Sequence, residues 1–224
     1  MPTVLLVLVL LTASLEWLAV FNNWRRLEYF AKPGVMLALF AWLLFAGGLA
    51  GPLFWFGLGV LLSLAGDVFL LLPNEHRWFP FGLGSFLLAH LAYIVALNLP
   101  PAQLNTVTLG VALFVTVTAF PLINRVVRSL PEKGLRRLVE PVRYYAATIS
   151  LMLFSALVTP FRADWRLAPA FLVSLGAALF VISDLVLSWN KFVHPLHRGR
   201  LWLMVTYHLG QVALVAGAVW QFAK

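Results

Sequence analysis

The sequence predicts an all-α protein: a polytopic membrane bundle of eight transmembrane helices, with residues 1–224 forming one membrane domain. The first observation behind this is composition. The chain is 62% hydrophobic and 11% charged, against the roughly 25% charged residues of an ordinary soluble domain. So few polar groups cannot cover a water-facing surface, and the wealth of aromatic and branched apolar residues excludes a disordered chain. The second observation is segmentation. Crossing about 30 Å of hydrocarbon takes roughly 17 to 25 mostly apolar residues, and eight windows qualify, at about 3–21, 33–49, 53–72, 80–98, 104–123, 142–159, 168–189 and 201–222. Barrel strands would read as shorter segments of alternating polarity, and an open sheet edge cannot be satisfied in lipid. The third is that basic residues gather in alternate connections.

Span one lacks the basic leader and small-residue cleavage site of a signal peptide, so it is expected to remain as a helix. Trp24, Arg25 and Arg26 follow it, and Lys32-Pro33 opens span two. Span three carries Trp55 near its start and Asp67 near its end, and Arg77 and Trp78 precede span four. After span five comes the longest connection, 124–141, with Arg125, Arg128, Lys133, Arg136 and Arg137; it reads as a solvated linker or as a mildly amphipathic contact with anionic headgroups. Arg143, Tyr144 and Tyr145 begin span six. Arg162, Trp165 and Arg166 lead to span seven, which ends at Trp189, and Lys191, Arg198 and Arg200 lead to span eight, with Lys224 closing the chain. Thirteen of the sixteen Lys and Arg residues thus lie in or beside connections one, three, five and seven. This asymmetry places those connections in the cytoplasm and both termini outside. It also accounts for the net charge of +8 by membrane lipids, with no nucleic-acid partner. Oligomeric state is not legible. Cysteine is absent, which removes disulfides and thiolate metal sites.

Five ionisable residues fall inside spans: Glu16, Asp67, His90, Asp184 and His208. A charged side chain at the bilayer centre costs about 2.5–3.5 kcal/mol on insertion scales, so such residues tend to face the bundle and mark function. Asp67 precedes Pro73 by six residues, or roughly 9 Å at 1.5 Å per residue. Asp184, Tyr207 and Glu16 lie at a similar depth, and Lys32, Arg143, Tyr144 and Tyr145 begin spans on the same side. One cavity in the inner leaflet accounts for them together. Phe86, His90 and Tyr93 recur at i, i+4 and i+7, and Tyr207 and Gln211 at i and i+4, so each set shares a helix face. Each residue also has a structural reading. The aspartates could be protonated acids bonding across helices, His90 a satisfied core histidine, and Tyr207 and Gln211 interhelical hydrogen-bonding groups. Glu16 could snorkel to the interface, and His208 lies one residue off the Tyr207 face. His194 and His197 have the spacing of a loose metal pair but no accompanying carboxylate or cysteine, so no metal site is expected. Finally, Gly66-Asp67 and Ser183-Asp184 echo each other at an offset that carries His90 onto Tyr207; a duplicated four-span unit with parallel halves and chance similarity are the two readings.

Several short motifs occur in a telling order: Lys32-Pro33, Gly66-Asp67, Phe86-x-x-Ala89-His90-x-x-Tyr93, Pro141-Val142 with Tyr144-Tyr145, Ser183-Asp184 with Asn190-Lys191-Phe192, and Tyr207-x-x-Gly210-Gln211. From about residue 30 onward this pattern resembles the lysoplasmalogenase (YhhN-like) family of integral membrane proteins. The resemblance implies an eight-span hydrolase of a bacterial inner membrane that cleaves the vinyl-ether bond of lysoplasmalogens with water. The products would be a fatty aldehyde and glycerophosphocholine or glycerophosphoethanolamine, and neither an organic cofactor nor a metal is implied.

Such hydrolysis begins with protonation of the enol-ether β-carbon and passes through an oxocarbenium ion. It wants one protonated carboxyl group and one carboxylate, the division of labour used by glycosidases. Asp67 and Asp184 meet that need, with acid and base left unassigned and His90 as orienter or proton relay. Lys32, Arg143 and Lys191 are placed to bind the lipid phosphate, Tyr144, Tyr207 and Gln211 the glycerol, and Tyr93 lies on the same lining face. The alternative from another class is a proton-coupled transporter using the Asp and His residues as a relay. A third reading is a non-catalytic lipid-binding scaffold.

Overall fold

A computed structural model describes residues 2–223; Met1 and the closing basic residue Lys224 lie outside the described residues. The chain forms eight long helices: α1 (Pro2–Phe21), α2 (Arg25–Gly47), α3 (Pro52–Leu71), α4 (Glu75–Leu97), α5 (Thr106–Glu132), α6 (Val139–Val158), α7 (Leu167–Ser188) and α8 (Gly199–Phe222). No strand occurs among the described residues. All eight helices are long and apolar enough to cross a membrane, so the chain is an integral, multi-pass membrane protein. Its outward surface is apolar, as lipid demands: Leu113 and Phe120 of α5 and Leu11 and Leu18 of α1 are exposed.

The spans fall where the apolar windows predict, but three helices outrun them. Helix α2 begins at Arg25 and contains Pro33, and α4 contains Pro80. Hydropathy stops at charged residues, whereas the backbone does not. The first two turns of α2 are amphipathic, with Glu28 and Lys32 buried on one face, and membrane helices accommodate proline because neighbours re-satisfy the freed carbonyl. Helix α5 runs on to Glu132, so most of the expected 124–141 linker is helical. Val126, Val127 and Leu130 on this extension pack with Phe79, Val142 and Phe192 in a small separate core. The remaining connection turns at Gly134, whose φ of +74° suits glycine.

The main core lies between α2, α3, α4, α7 and α8, centred on Met36, Leu39, Phe56, Val60, Tyr93, Phe180 and Leu214, with α6 packed beside it. Helices α7 and α8 approach most closely. A Cβ on Gly176 would stand 2.5 Å from the Leu214 nitrogen, and one on Gly210 2.9 Å from the Phe180 nitrogen. Small residues at such crossings let backbones meet where lipid supplies no hydrophobic drive for association. Beyond α7 the chain makes a single π turn, Trp189–Val193, a distortion frequent at functional sites. Asn190 and Lys191 of this turn line a cavity at that end of the bundle.

Candidate active site

That cavity, about 640 Å³, opens at the end of the bundle where the odd-numbered connections lie. It falls within the roughly 300–1,000 Å³ of small-molecule sites. Helices α2, α3, α4, α7 and α8 all contribute to its wall. Four cations, Arg25, Lys32, Lys191 and Arg200, stand among three acids, Glu28, Asp67 and Asp184. The cations are partly committed. Arg200 Nη2 donates to both Glu28 oxygens, at 2.6 and 2.8 Å, and Lys191 Nζ stands 4.1 Å from the centre of the Phe79 ring.

The two aspartates share this cavity but have different partners. Asp67, 1% exposed, faces Lys32 Nζ at 3.2 Å and accepts from Tyr207 Oη at 2.7 Å. Its preceding residue explains itself sterically: a Cβ on Gly66 would come within 2.7 Å of the Phe86 ring, so the glycine admits Phe86 of α4 beside the carboxylate. Asp184 accepts from Tyr145 Oη. His90 Nε2 lies 3.3 Å from the same Asp184 oxygen and 3.1 Å from Tyr145 Oη. Phe180 closes over His90 with ring centres 4.7 Å apart, and its ring also meets Tyr207 edge-on. The contacts are reciprocal: Asp67 is bonded by Tyr207, Asp184 by His90, and the sequence offset that exchanges the two aspartates exchanges those partners.

Among the residues expected at the site, Lys32, Asp67, Asp184, Lys191 and Tyr207 line the cavity. His90 lies behind Asp184 rather than in the wall. Tyr93 and Gln211 are also behind it. Tyr93 Oη donates to Gln211 Oε1 at 2.6 Å, and Gln211 Nε2 donates to Ser63 Oγ at 2.9 Å, a fully buried chain that ties α4 to α8 and α3. Arg143 and Tyr144 stand outside. Arg143 pairs with the exposed Glu140 at 2.6 Å, and Tyr144 is 68% exposed. The buried stripe of α6 runs Val142, Tyr145, Ile149, Met152, so helical phase brings Tyr145 inward and turns its neighbour to lipid. Arg25, Glu28, Tyr29 and Arg200 are the site residues that the sequence reading passed over, and it places Tyr145 at the level of the cavity without a role of its own. Spacing carries a signal for three of them: Tyr145 sits at i+3 from Val142, and Arg25 and Glu28 share an i, i+3, i+7 face with Lys32. Glu16 does not snorkel. It is fully buried, its carboxyl oxygens find no hydrogen-bond partner among the described residues, and His208 Nδ1 lies 3.8 Å away while accepting from Trp17 Nε1 at 3.1 Å.

Fold and site together define a polytopic membrane protein with two buried aspartates in a cation-rimmed cavity at one end of its bundle. The chain belongs to the YhhN family, whose model matches residues 27–218. It is 31% identical to the mouse (Mus musculus) protein named lysoplasmalogenase TMEM86B, over 92% of this chain and 80% of that one. The human (Homo sapiens) protein of the same name is 29% identical, over 87% and 77% respectively. A Mycobacterium tuberculosis protein named lysoplasmalogenase is 30% identical over 73% of this chain and 59% of its own length. No solved structure matches. These relatives are named as enzymes, and the transporter alternative finds no support among them.

Proposed function

We infer that the cavity hydrolyses the vinyl-ether bond of a lysophospholipid held with its headgroup among the cations. The chain is a lysoplasmalogenase-type ether hydrolase whose reactants are a lysophospholipid and water. The observation that carries the assignment of roles is the contrast between the two carboxyl groups. Asp67 stands against the Lys32 ammonium, which suits the ionised partner. Asp184 shares one oxygen with Tyr145 Oη and His90 Nε2, a unit suited to carrying a transferable proton.

In this reading Asp184 gives its proton to the β-carbon, whose new C–H bond takes the electron pair of the double bond. The α-carbon and ether oxygen then share the positive charge, beside the Asp67 carboxylate. Water adds to the α-carbon as Asp67 takes its proton, giving a hemiacetal. Collapse returns that proton from Asp67 to the departing glycerol oxygen and the hemiacetal hydroxyl proton to Asp184. Fatty aldehyde and glycerophosphodiester leave, and both acids are reset. Lys32, Arg25 and Lys191 bind the phosphate, and Tyr207 orients Asp67. The lipid-facing surface supports membrane lipids as the other partners, the loop-charge asymmetry supports a cavity opening to the cytoplasm, and a bacterial inner membrane is the location we propose.

An aldehyde-coupled assay on purified protein in detergent, without any ion gradient, tests this. The vinyl-ether lysolipid releases aldehyde and the matching ester lysolipid does not react. Cleavage of the ester alone, or no product from either, overturns the assignment. Run in heavy water, the first turnover places one deuterium on the aldehyde carbon next to the carbonyl.

A further inference from the structure

Asp184 stands in the wall of three hollows. One is the cavity described above. A second is a slender groove of about 90 Å³ between α5, α6 and α7, with Asp184 and Tyr145 in its wall. The third is a constriction of about 20 Å³ that shares Phe79, Asp184 and Leu187 with the cavity and Val142, Tyr145 and Ser188 with the groove. Asp184 thus borders all three hollows.

The groove has a different character from the cavity. Its walls are matching helical faces: Ala119, Leu122, Ile123 and Val126 of α5 recur at i, i+3, i+4 and i+7, as do Val181, Asp184, Leu185 and Ser188 of α7. Small side chains, Ala146 and Ser150, keep the α6 wall open. Asp184 is the sole ionisable carboxyl in the lining, and no Lys or Arg occurs there. At about 90 Å³ it is far below the roughly 300 Å³ at which compact ligand sites begin; it excludes a headgroup and admits the first few methylenes of a hydrocarbon chain, the rest of which extends into the bilayer. From Tyr145 to Ser150 it descends five residues of α6, about 7.5 Å toward the middle of the bilayer. Its outer wall, α5, exposes Leu113, Val117 and Phe120, so the groove lies where lipid chains surround the protein.

We propose that the α5–α6–α7 groove receives the alkenyl chain of the substrate, entering sideways from the bilayer while the headgroup stays in the cation-rimmed cavity. This rests on the hydrolase reading and deepens it. A vinyl ether sits at the junction of chain and glycerol, and its β-carbon is the one on the chain side. A chain in the groove and a phosphate in the cavity bring that carbon to Asp184 and leave the α-carbon toward Asp67. The groove thus fixes which aspartate is the acid.

The test narrows the groove. Ser150→Phe, with the neighbouring exposed Ala147→Phe as control, is assayed on a long-chain vinyl-ether lysolipid and on a truncated analogue whose chain ends short of Ser150. Ser150→Phe lowers kcat/KM for the long chain at least tenfold and leaves the truncated substrate unchanged; Ala147→Phe affects neither. Equal loss on both substrates, or no loss on the long one, overturns the proposal, and a groove holding only a resident bilayer lipid gives the latter result. A second readout needs no turnover. In this cysteine-free chain, a fluorophore on the exposed Ala147→Cys, beside the groove and outside its lining, is quenched saturably by a chain-labelled, non-hydrolysable ether lysolipid, and the unlabelled lipid reverses it. Absence of saturable quenching also overturns the groove. Saturable quenching with no aldehyde released by the wild-type protein instead leaves the groove standing and removes the hydrolase reading.

Discussion

At the scale of the residue, the account turns on which hydroxyls and cations touch the two carboxyl groups. Tyr145 and Tyr144 make the sharpest contrast, since adjacent tyrosines on α6 differ in whether they reach Asp184. As Asp184 gives up its proton it becomes a carboxylate, and a hydrogen bond to a charged group contributes about 1.5–3 kcal/mol, so Tyr145→Phe should lower kcat by about tenfold to a hundredfold while Tyr144→Phe leaves it unchanged. Steady-state aldehyde release decides between them, and equal effects would deny Tyr145 its place. Tyr93 belongs to the support behind the cavity. Tyr93→Phe removes the donor to the buried Gln211 oxygen and should cost about 1–3 kcal/mol of stability, seen as a lower Tm in detergent with KM unchanged. A raised KM with an unaltered Tm would instead put Tyr93 in contact with substrate. The aspartates, Lys32 and Tyr207 were legible in the sequence because an ionisable group in lipid is conspicuous by its cost. The choice of Tyr145 over Tyr144 and the role of Arg200 were not: adjacent tyrosines at a span end look alike until the helix phase is known, and a loop arginine looks like positive-inside charge until its helix is seen to begin at Gly199.

At the scale of the element, two features hold the site in shape. The α7–α8 crossing fixes Asp184 relative to Tyr207 through glycines that touch backbone. Gly176→Ala would press a methyl against the Leu214 nitrogen. Overpacking of this kind costs about 1–3 kcal/mol, so a lower Tm and reduced activity are expected together. Gly34→Ala, whose added methyl meets nothing within 4 Å, should leave both intact; a Gly176→Ala protein as stable and active as wild type would contradict this packing. The π turn after α7 is the second feature, because its Asn190 and Lys191 line the cavity. The spans themselves were readable from apolar length. The ends of α2 and α5 were not, since hydropathy falls off at Arg25–Lys32 and Asn124–Glu132 although amphipathic faces carry the helix onward.

At the scale of the whole molecule, loop charge predicts that the cavity opens to the cytoplasm. The absence of cysteine makes this direct to check: in spheroplasts, a membrane-impermeant maleimide should label Ala163→Cys and spare Glu132→Cys, and the reverse pattern would invert the topology. The duplicated-unit reading gains a physical counterpart in the crossed pairs Asp67–Tyr207 and Asp184–His90, a relation invisible to sequence beyond its offset. The claim beneath all of this is that one cavity uses both carboxyl groups in a single reaction. Its most direct measurement is kcat for vinyl-ether cleavage by Asp67→Asn, Asp184→Asn and the double variant, each checked for an unchanged elution profile and Tm. General acid–base groups contribute about 10²–10⁴-fold, and groups acting as a unit are not additive. Each single variant should therefore fall by at least about a hundredfold and the double variant little further, whereas near wild-type turnover in folded single variants would contradict the account.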